Sequence, residues 1–149
     1  MTFVDITIVP VSTERRARYL DFSRRMAAVY RDHGATRVVD YLQADGSTSQ
    51  DDFHADGVSY DPAELQGIAQ VAGARDGESV VVTVTEWASR EARDRGNDAA
   101  TRDPRVLATL DEEPVFDGAR VRGGSFEMTM SVGGSDGPTA PTVPRPTDR

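Results

Sequence analysis

Residues 76–87 read DGESVVVTVTEW, and the fold turns on this stretch. Asp76-Gly77 is a turn pair, after which Val80, Val82 and Val84 oppose Val81, Thr83, Thr85 and Trp87. β-Branched residues on both sides of a period-two pattern describe a strand covered on both faces, hence one in the middle of a sheet. Immediately downstream, Ser89 supplies an N-cap with Glu91 in the first turn of a helix, and Asp103-Pro104 opens a further helix carrying Val106, Leu107 and Leu110. Pro114 closes that segment and Asp117-Gly118 turns the chain. Residues 119–132 then alternate again, with Phe126, Met128 and Met130 against Ser125, Glu127 and Thr129, and Gly123-Gly124 permits a bulge. Strand, two short helices and strand in succession make half a domain.

The N-terminal part has the same grammar without a sequence repeat. Residues 3–11 alternate, Val4, Ile6 and Ile8 opposite Phe3, Asp5, Thr7 and Val9, before Pro10 weakens further pairing. From Thr13 the period lengthens: Tyr19, Phe22, Met26, Val29 and His33 recur at three- and four-residue steps, with Arg15, Arg18, Arg25 and Asp32 off the stripe. This predicts an amphipathic helix capped by Ser12 or Thr13 and ended by Gly34. Residues 36–44 form a second strand, with Val38, Asp40 and Leu42 opposite Arg37, Val39, Tyr41 and Gln43. Two such units fold most economically as an α+β, ferredoxin-like βαββαβ sandwich: a four-stranded antiparallel sheet with helices on one face. The uncovered face is expected to carry Phe3 and Val9 among Asp, Thr and Tyr residues. It is too apolar for water, so a second sheet is expected on it, making a homodimer.

Residues 45–75 interrupt the pattern. Asp45, Asp51, Asp52, Asp56, Asp61 and Glu64 fall there with no basic residue before Arg75, which predicts a solvated acidic insertion. The spacing of Asp51, Asp52 and Asp56 is not that of a calcium loop, and no metal site is expected. Leu65, Ile68, Ala69 and Ala72 suggest a short helix ended by Gly73. From Gly133 the chain reads GGSDGPTAPTVPRPTDR, with almost nothing to bury, so residues 133–149 are expected to be a disordered tail behind one domain of residues 1–132.

The 149 residues carry 17 basic and 25 acidic side chains, a formal charge of −8. Such a chain repels phosphate backbones and anionic lipid, so neither nucleic acid nor membrane is an expected partner. It has no cysteine, which rules out disulfides, thiolate metal sites and cysteine nucleophiles. The N-terminus has no signal-peptide pattern and no window approaches the ~20 apolar residues of a membrane span, so a cytoplasmic location is expected.

Several of these stretches, taken in order, resemble the YbaA-like family of uncharacterised proteins, domain of unknown function 1428. They are Val9-Pro10-Val11, His33-Gly34-Ala35, Gly77-Glu78-Ser79-Val80-Val81, Asp103-Pro104-Arg105, and Pro114-Val115-Phe116-Asp117-Gly118-Ala119-Arg120 leading to Gly123-Gly124-Ser125-Phe126-Glu127. The resemblance implies a dimeric α/β barrel in which two ferredoxin-like sheets face each other, and it implies no established activity. The insertion after Ala44 and the proline-rich tail depart from the family pattern.

His33 continues the buried helical stripe and is the candidate catalytic residue, a proton shuttle at the mouth of a cleft; the competing role is a helix cap. Asp117 and Arg120 flank the last turn, where they hold an anionic substrate or simply shape the turn. Asn97, near the end of a helix, and Trp87 complete the candidate ligand-binding set, Trp87 having a core position as its alternative. Asp5, Asp40 and Glu127 on strands are carboxylates available for acid–base work if they line an interior. His54 falls in the acidic insertion, where exposure is expected. No cofactor is expected. The leading function is a homodimer that binds or converts a small hydrophobic or phenolic molecule in a pocket between helices and sheet. The alternative is a non-enzymatic interaction protein with a filled barrel and an acidic docking loop. A cavity of some hundreds of Å³ with convergent polar groups separates the two.

Overall fold

A computed structural model of the chain describes residues 1–45 and 49–134. The tail from Ser135 onward and the Gly46 half of the Asp45-Gly46 turn lie outside the described residues. In chain order the elements are β1 (Phe3–Ser12), α1 (Arg16–Asp32), β2 (Arg37–Leu42), α2 (Ile68–Ala72), β3 (Glu78–Trp87), α3 (Arg90–Thr101), α4 (Pro104–Ala108) and β4 (Arg122–Glu127). The strands form one four-stranded sheet in the order β2-β3-β1-β4. Every neighbouring pair is antiparallel. This is the ferredoxin-like arrangement, in which each strand-helix-strand unit is split by a strand of the other.

Capping follows the sequence. The Ser89 side chain accepts from the Ala92 amide and Asp103 from the Arg105 amide. Gly34 and Gly73 take positive φ, 104° and 68°, where a Cβ would be strained. Two boundaries differ from the pattern. The N-cap expected at Ser12 or Thr13 instead begins a 3₁₀ turn, whose Thr13 hydroxyl donates to the Gly77 carbonyl. The last strand is shorter than residues 119–132: a 3₁₀ turn occupies Gly118–Arg120, and Gly123 and Gly124 pair in regular register with Thr7 and Ile6 rather than forming a bulge.

The larger correction concerns the faces. Phe3 pairs with Trp87 and Val9 with Val81, and all four are buried beneath the helices. The helix-facing side of the sheet is therefore the odd-numbered side of β1, where the sequence pattern had placed the uncovered face. The competing phase, Val4, Ile6 and Ile8, is equally apolar, so alternation alone could not tell the two sides apart. The open side carries Val4, Ile6, Ile8, Val39, Val82 and Val84, with Tyr41 and Phe126 about half exposed. At one end of that side Pro10 and Val80 are fully buried, and α2 from the acidic insertion packs on β1 and β3. The insertion thus contributes a short helix to the sheet as well as exposed loop.

Across the helix-facing side the register stacks side chains in rows. The first row holds Trp87 and Phe3, with Glu127 exposed at its β4 end. The next holds Val38, Thr85, Asp5 and Ser125; the next Asp40, Thr83, Thr7 and Gly123; and then comes an apolar row of Leu42, Val81 and Val9. Tyr19 packs on Val9, Val11 and Val81, joined by Val115 and Phe116. Phe116 meets the rings of Tyr19 and Phe22 edge-on.

At the other end Trp87 is 0 % exposed. It lies beneath Gly96 of α3, where an added Cβ would come within 2.2 Å of the indole and 2.5 Å of the His33 carbonyl oxygen. A mid-helix glycine ordinarily costs about 1 kcal/mol relative to alanine. Here the contact reverses the sign. Gly96→Ala is expected to destabilise the protein by about 1–3 kcal/mol through overpacking, read as a lower urea midpoint. An alanine variant as stable as the parent would contradict this packing.

Candidate functional site

Two consecutive polar rows in the inward phase of a sheet need a reason, because unpaired polar groups beneath helices cost about 1–3 kcal/mol each. These rows form the floor of a cavity of about 410 Å³ between the sheet, α1 and α3. Thr7, Thr83, Thr85, Asp5 and Ser125 rise from the strands, Tyr30 and Val38 close one side, and Arg93 and Asn97 descend from α3. Arg93 and Asn97 are four apart and so share a helix face with Gly96, the residue that lets α3 approach the sheet. Gly123 lacks the side chain that would otherwise fill the β4 end: an added Cβ there would meet Thr7 at 3.0 Å.

Asp5 is the centre of the cleft. Its two carboxylate oxygens accept from Arg93 Nε at 2.9 and 3.1 Å, from Ser125 Oγ at 2.5 Å and from Trp87 Nε1 at 3.3 Å. Its hydrogen bond in turn holds the Arg93 guanidinium firmly protonated. Burial, reinforced by the Asp5 charge, pushes the Tyr30 phenol above its usual range, so it remains an O–H donor at neutral pH. Beside the cavity Asp40 accepts from Thr83 Oγ1 at 2.5 Å and from the Ser23 hydroxyl.

The sequence-based candidates separate. Asn97 lines the cavity. Trp87 does not; it sits behind the wall as a core residue and orients Asp5 through its indole N–H. His33 is not among the lining residues. Its Nε2 lies 2.9 Å from Asp103 Oδ2, and Arg105 in turn grips Asp103 and Asp32, tying the end of α1 to the start of α4. This contact places His33 in a clasp between helices, outside the cavity. Asp117 accepts from the Ala119 amide and shapes the turn. Arg120 is bound by both oxygens of Glu78, each at 2.7 Å, and donates to the Gly73 carbonyl at 2.8 Å. That leaves neither residue at the cleft. Of the strand carboxylates, Asp5 is at its centre and Asp40 beside it, both under the helices rather than on the open side of the sheet. His54 is exposed, with its ring against Tyr60. Arg93, Tyr30, Ser125 and the threonines were missed. The available signal was Asp5, Thr7, Thr83 and Thr85 recurring in one strand phase.

Fold and cleft together define a small α+β protein with a polar pocket between its helices and its antiparallel sheet. The chain belongs to the family described as Protein of unknown function (DUF1428), whose model matches residues 2–118. Over 130 residues it is 28% identical to the Uncharacterized protein YbaA of Escherichia coli K12, covering 87% of this chain and 98% of that one, and it matches YbaA of Shigella flexneri to the same extent. The structure of Rv0793 from Mycobacterium tuberculosis aligns with a TM-score of 0.50 at 14% identity, over 89% of this chain and 100% of the other, a likeness of fold. Among the described residues no helix is long and apolar enough to cross a membrane.

The Arg120 clamp has a measurable signature. Its hydrogen bonds lower the Glu78 carboxyl from 4.5 to about 2. A depressed acid contributes stability that is fully present above its unfolded value and is lost as pH falls toward the folded one. Glu78→Gln is therefore expected to lower the denaturant midpoint at pH 7, and the gap to the parent should close as pH falls from 4.5 toward 2. A gap independent of pH would show that the ion pair is not the cause.

Proposed function

We propose that the protein is a homodimer that binds or converts a small hydrophobic or phenolic molecule in the cleft around Asp5. The observation supporting this is the pair of polar rows at positions where a structural sandwich would bury valine and leucine. A filled interior would need no such residues, and the open cavity speaks against the interaction-protein alternative. In this reading the Tyr30 ring and Val38 form the apolar side, Asn97 and the threonine hydroxyls orient polar substituents, and the Asp5–Arg93 pair holds the floor rigid. The recess is more polar than a typical small-molecule site, and its convergent polar groups are what would orient a ligand that rests on the Tyr30 ring and Val38.

A thermal-shift screen of phenols, quinones and lactones on the intact protein tests the reading. At least one compound should raise the melting temperature, and Asn97→Leu should abolish that shift without unfolding the protein. If no compound shifts the parent, the cleft is not a small-molecule site of this class.

The dimer is proposed from the open side of the sheet. Val4, Ile6, Ile8, Val82 and Val84 form a contiguous apolar surface, and Phe126, paired with Val4, continues it with 51% exposure. A second copy offers the same apolar surface by symmetry, and burying both removes them from water together. Light scattering should give twice the 16.2 kDa chain mass, and Ile6→Arg should yield monomer. A parent that is monomeric at micromolar concentration would overturn this.

A further inference from the structure

Four polar side chains that line the cavity, Thr7, Thr85, Tyr30 and Asn97, make no hydrogen bond among the described residues. Half-buried hydroxyls and amides without a partner in the protein are served by water, and four of them around a single recess are groups that a ligand can engage in the water's place. All four are uncharged, and between them they offer both donors and acceptors. The charged groups of the cleft already face opposite charge, although Arg93 Nη2 keeps N–H donors that a neutral carbonyl or hydroxyl oxygen can accept from. Asp5 accepts from three residues, and Arg93 gives its Nε to Asp5 and its Nη1 to Asp94 at 3.3 Å. Asp40, hydrogen-bonded to Thr83, adds a further carboxylate beside the cavity.

An anion entering would thus meet one guanidinium shared between two carboxylates and a third carboxylate nearby. A cation would have to break the Asp5–Arg93 pair, leaving that arginine uncompensated, and Asp40, whose oxygens accept from the Thr83 and Ser23 hydroxyls, is not among the residues lining the cavity. A neutral oxygen substituent meets neither obstacle. The threonine methyls, Val38 and the Tyr30 ring supply contact for the face of a small ring, and 410 Å³ lies toward the lower end of the ~300–1,000 Å³ of typical ligand pockets.

We propose that the cleft selects uncharged molecules bearing at least two hydroxyl or carbonyl oxygens on a small ring, and rejects carboxylates and phosphates of the same size. This rests on the reading of the cleft as a ligand site. The test uses size-matched probes on the full chain: catechol and a polyhydroxylated six-membered lactone against benzoate and phenyl phosphate. Binding is followed by amide chemical shifts of Thr85, Gly123 and Gly124. A neutral probe should bind at least about tenfold more tightly than either anion, a difference readily resolved by titration. Thr85→Val and Asn97→Leu, both near-isosteric, should each weaken that probe while the other cleft amides keep their native positions; Thr7→Val serves if either variant fails to fold. An anion that binds as tightly as the neutral probes overturns the selectivity and leaves the site standing. Should none of the probes move these amides, the ligand-site reading itself falls, and the selectivity with it.

Discussion

The contact between Trp87 and Gly96 is the constraint on which the rest depends. An indole buried under a helix backbone sets the distance between α3 and the sheet, and only a residue without a Cβ permits that distance. The indole N–H then reaches Asp5, and Asp5 in turn fixes Arg93, one turn before Gly96 on the same helix. One packing decision therefore sets both the height of the cleft roof and the orientation of its floor. The coupling explains why a carboxylate is tolerated in an inward-facing strand position: three donors converge on it, and two of them belong to elements held in place by the same contact.

The polar rows are affordable because they are bracketed. Phe3 and Trp87 seal one end of the sheet, and Val9, Val11, Val81 and Tyr19 seal the other, with Phe116 closing over Tyr19 and Phe22. Burying a large apolar side chain stabilises by about 1.5–3 kcal/mol, so each sealed end outweighs the desolvation of several paired hydroxyls. Apolar packing is concentrated at the ends and the polar side chains in the middle. Charged clasps at the periphery, His33–Asp103–Arg105 and Glu78–Arg120, join chain segments more than forty residues apart without intruding on the cleft.

The acidic insertion shows how an irregular segment is put to use. Most of it is exposed, but α2 returns to pack on β1 and β3, and Arg122 of β4 donates to the Val71 carbonyl. The uncovered apolar side of the sheet is accordingly narrower than the whole sheet, running from Val4 toward Phe126 rather than to Pro10.

Element types, their order and the antiparallel sheet follow from the sequence by itself, because turn pairs, helix caps and the switch from period two to period three or four are local signals. Ser89, Asp103 and Gly73 mark helix ends in the chain and in the structure alike. The face of the sheet was not local. Phe3, Asp5, Thr7 and Val9 and the intervening Val4, Ile6 and Ile8 are both plausible core phases, and only the helices could choose between them. They chose the phase with the polar residues, which moved Asp5 from the expected uncovered face to the centre of a cleft. Nor could spacing along the chain bring Ser125 and Arg93 to Asp5, 120 and 88 residues away. His33, conspicuous in the sequence as the end of a buried stripe, pairs with Asp103 away from the cavity, while an inconspicuous glycine, Gly96, sets how closely α3 approaches the sheet. Tertiary packing decided these matters because a side chain's role depends on what stands opposite it, and that is a property of the register and the helix docking rather than of its neighbours in the chain.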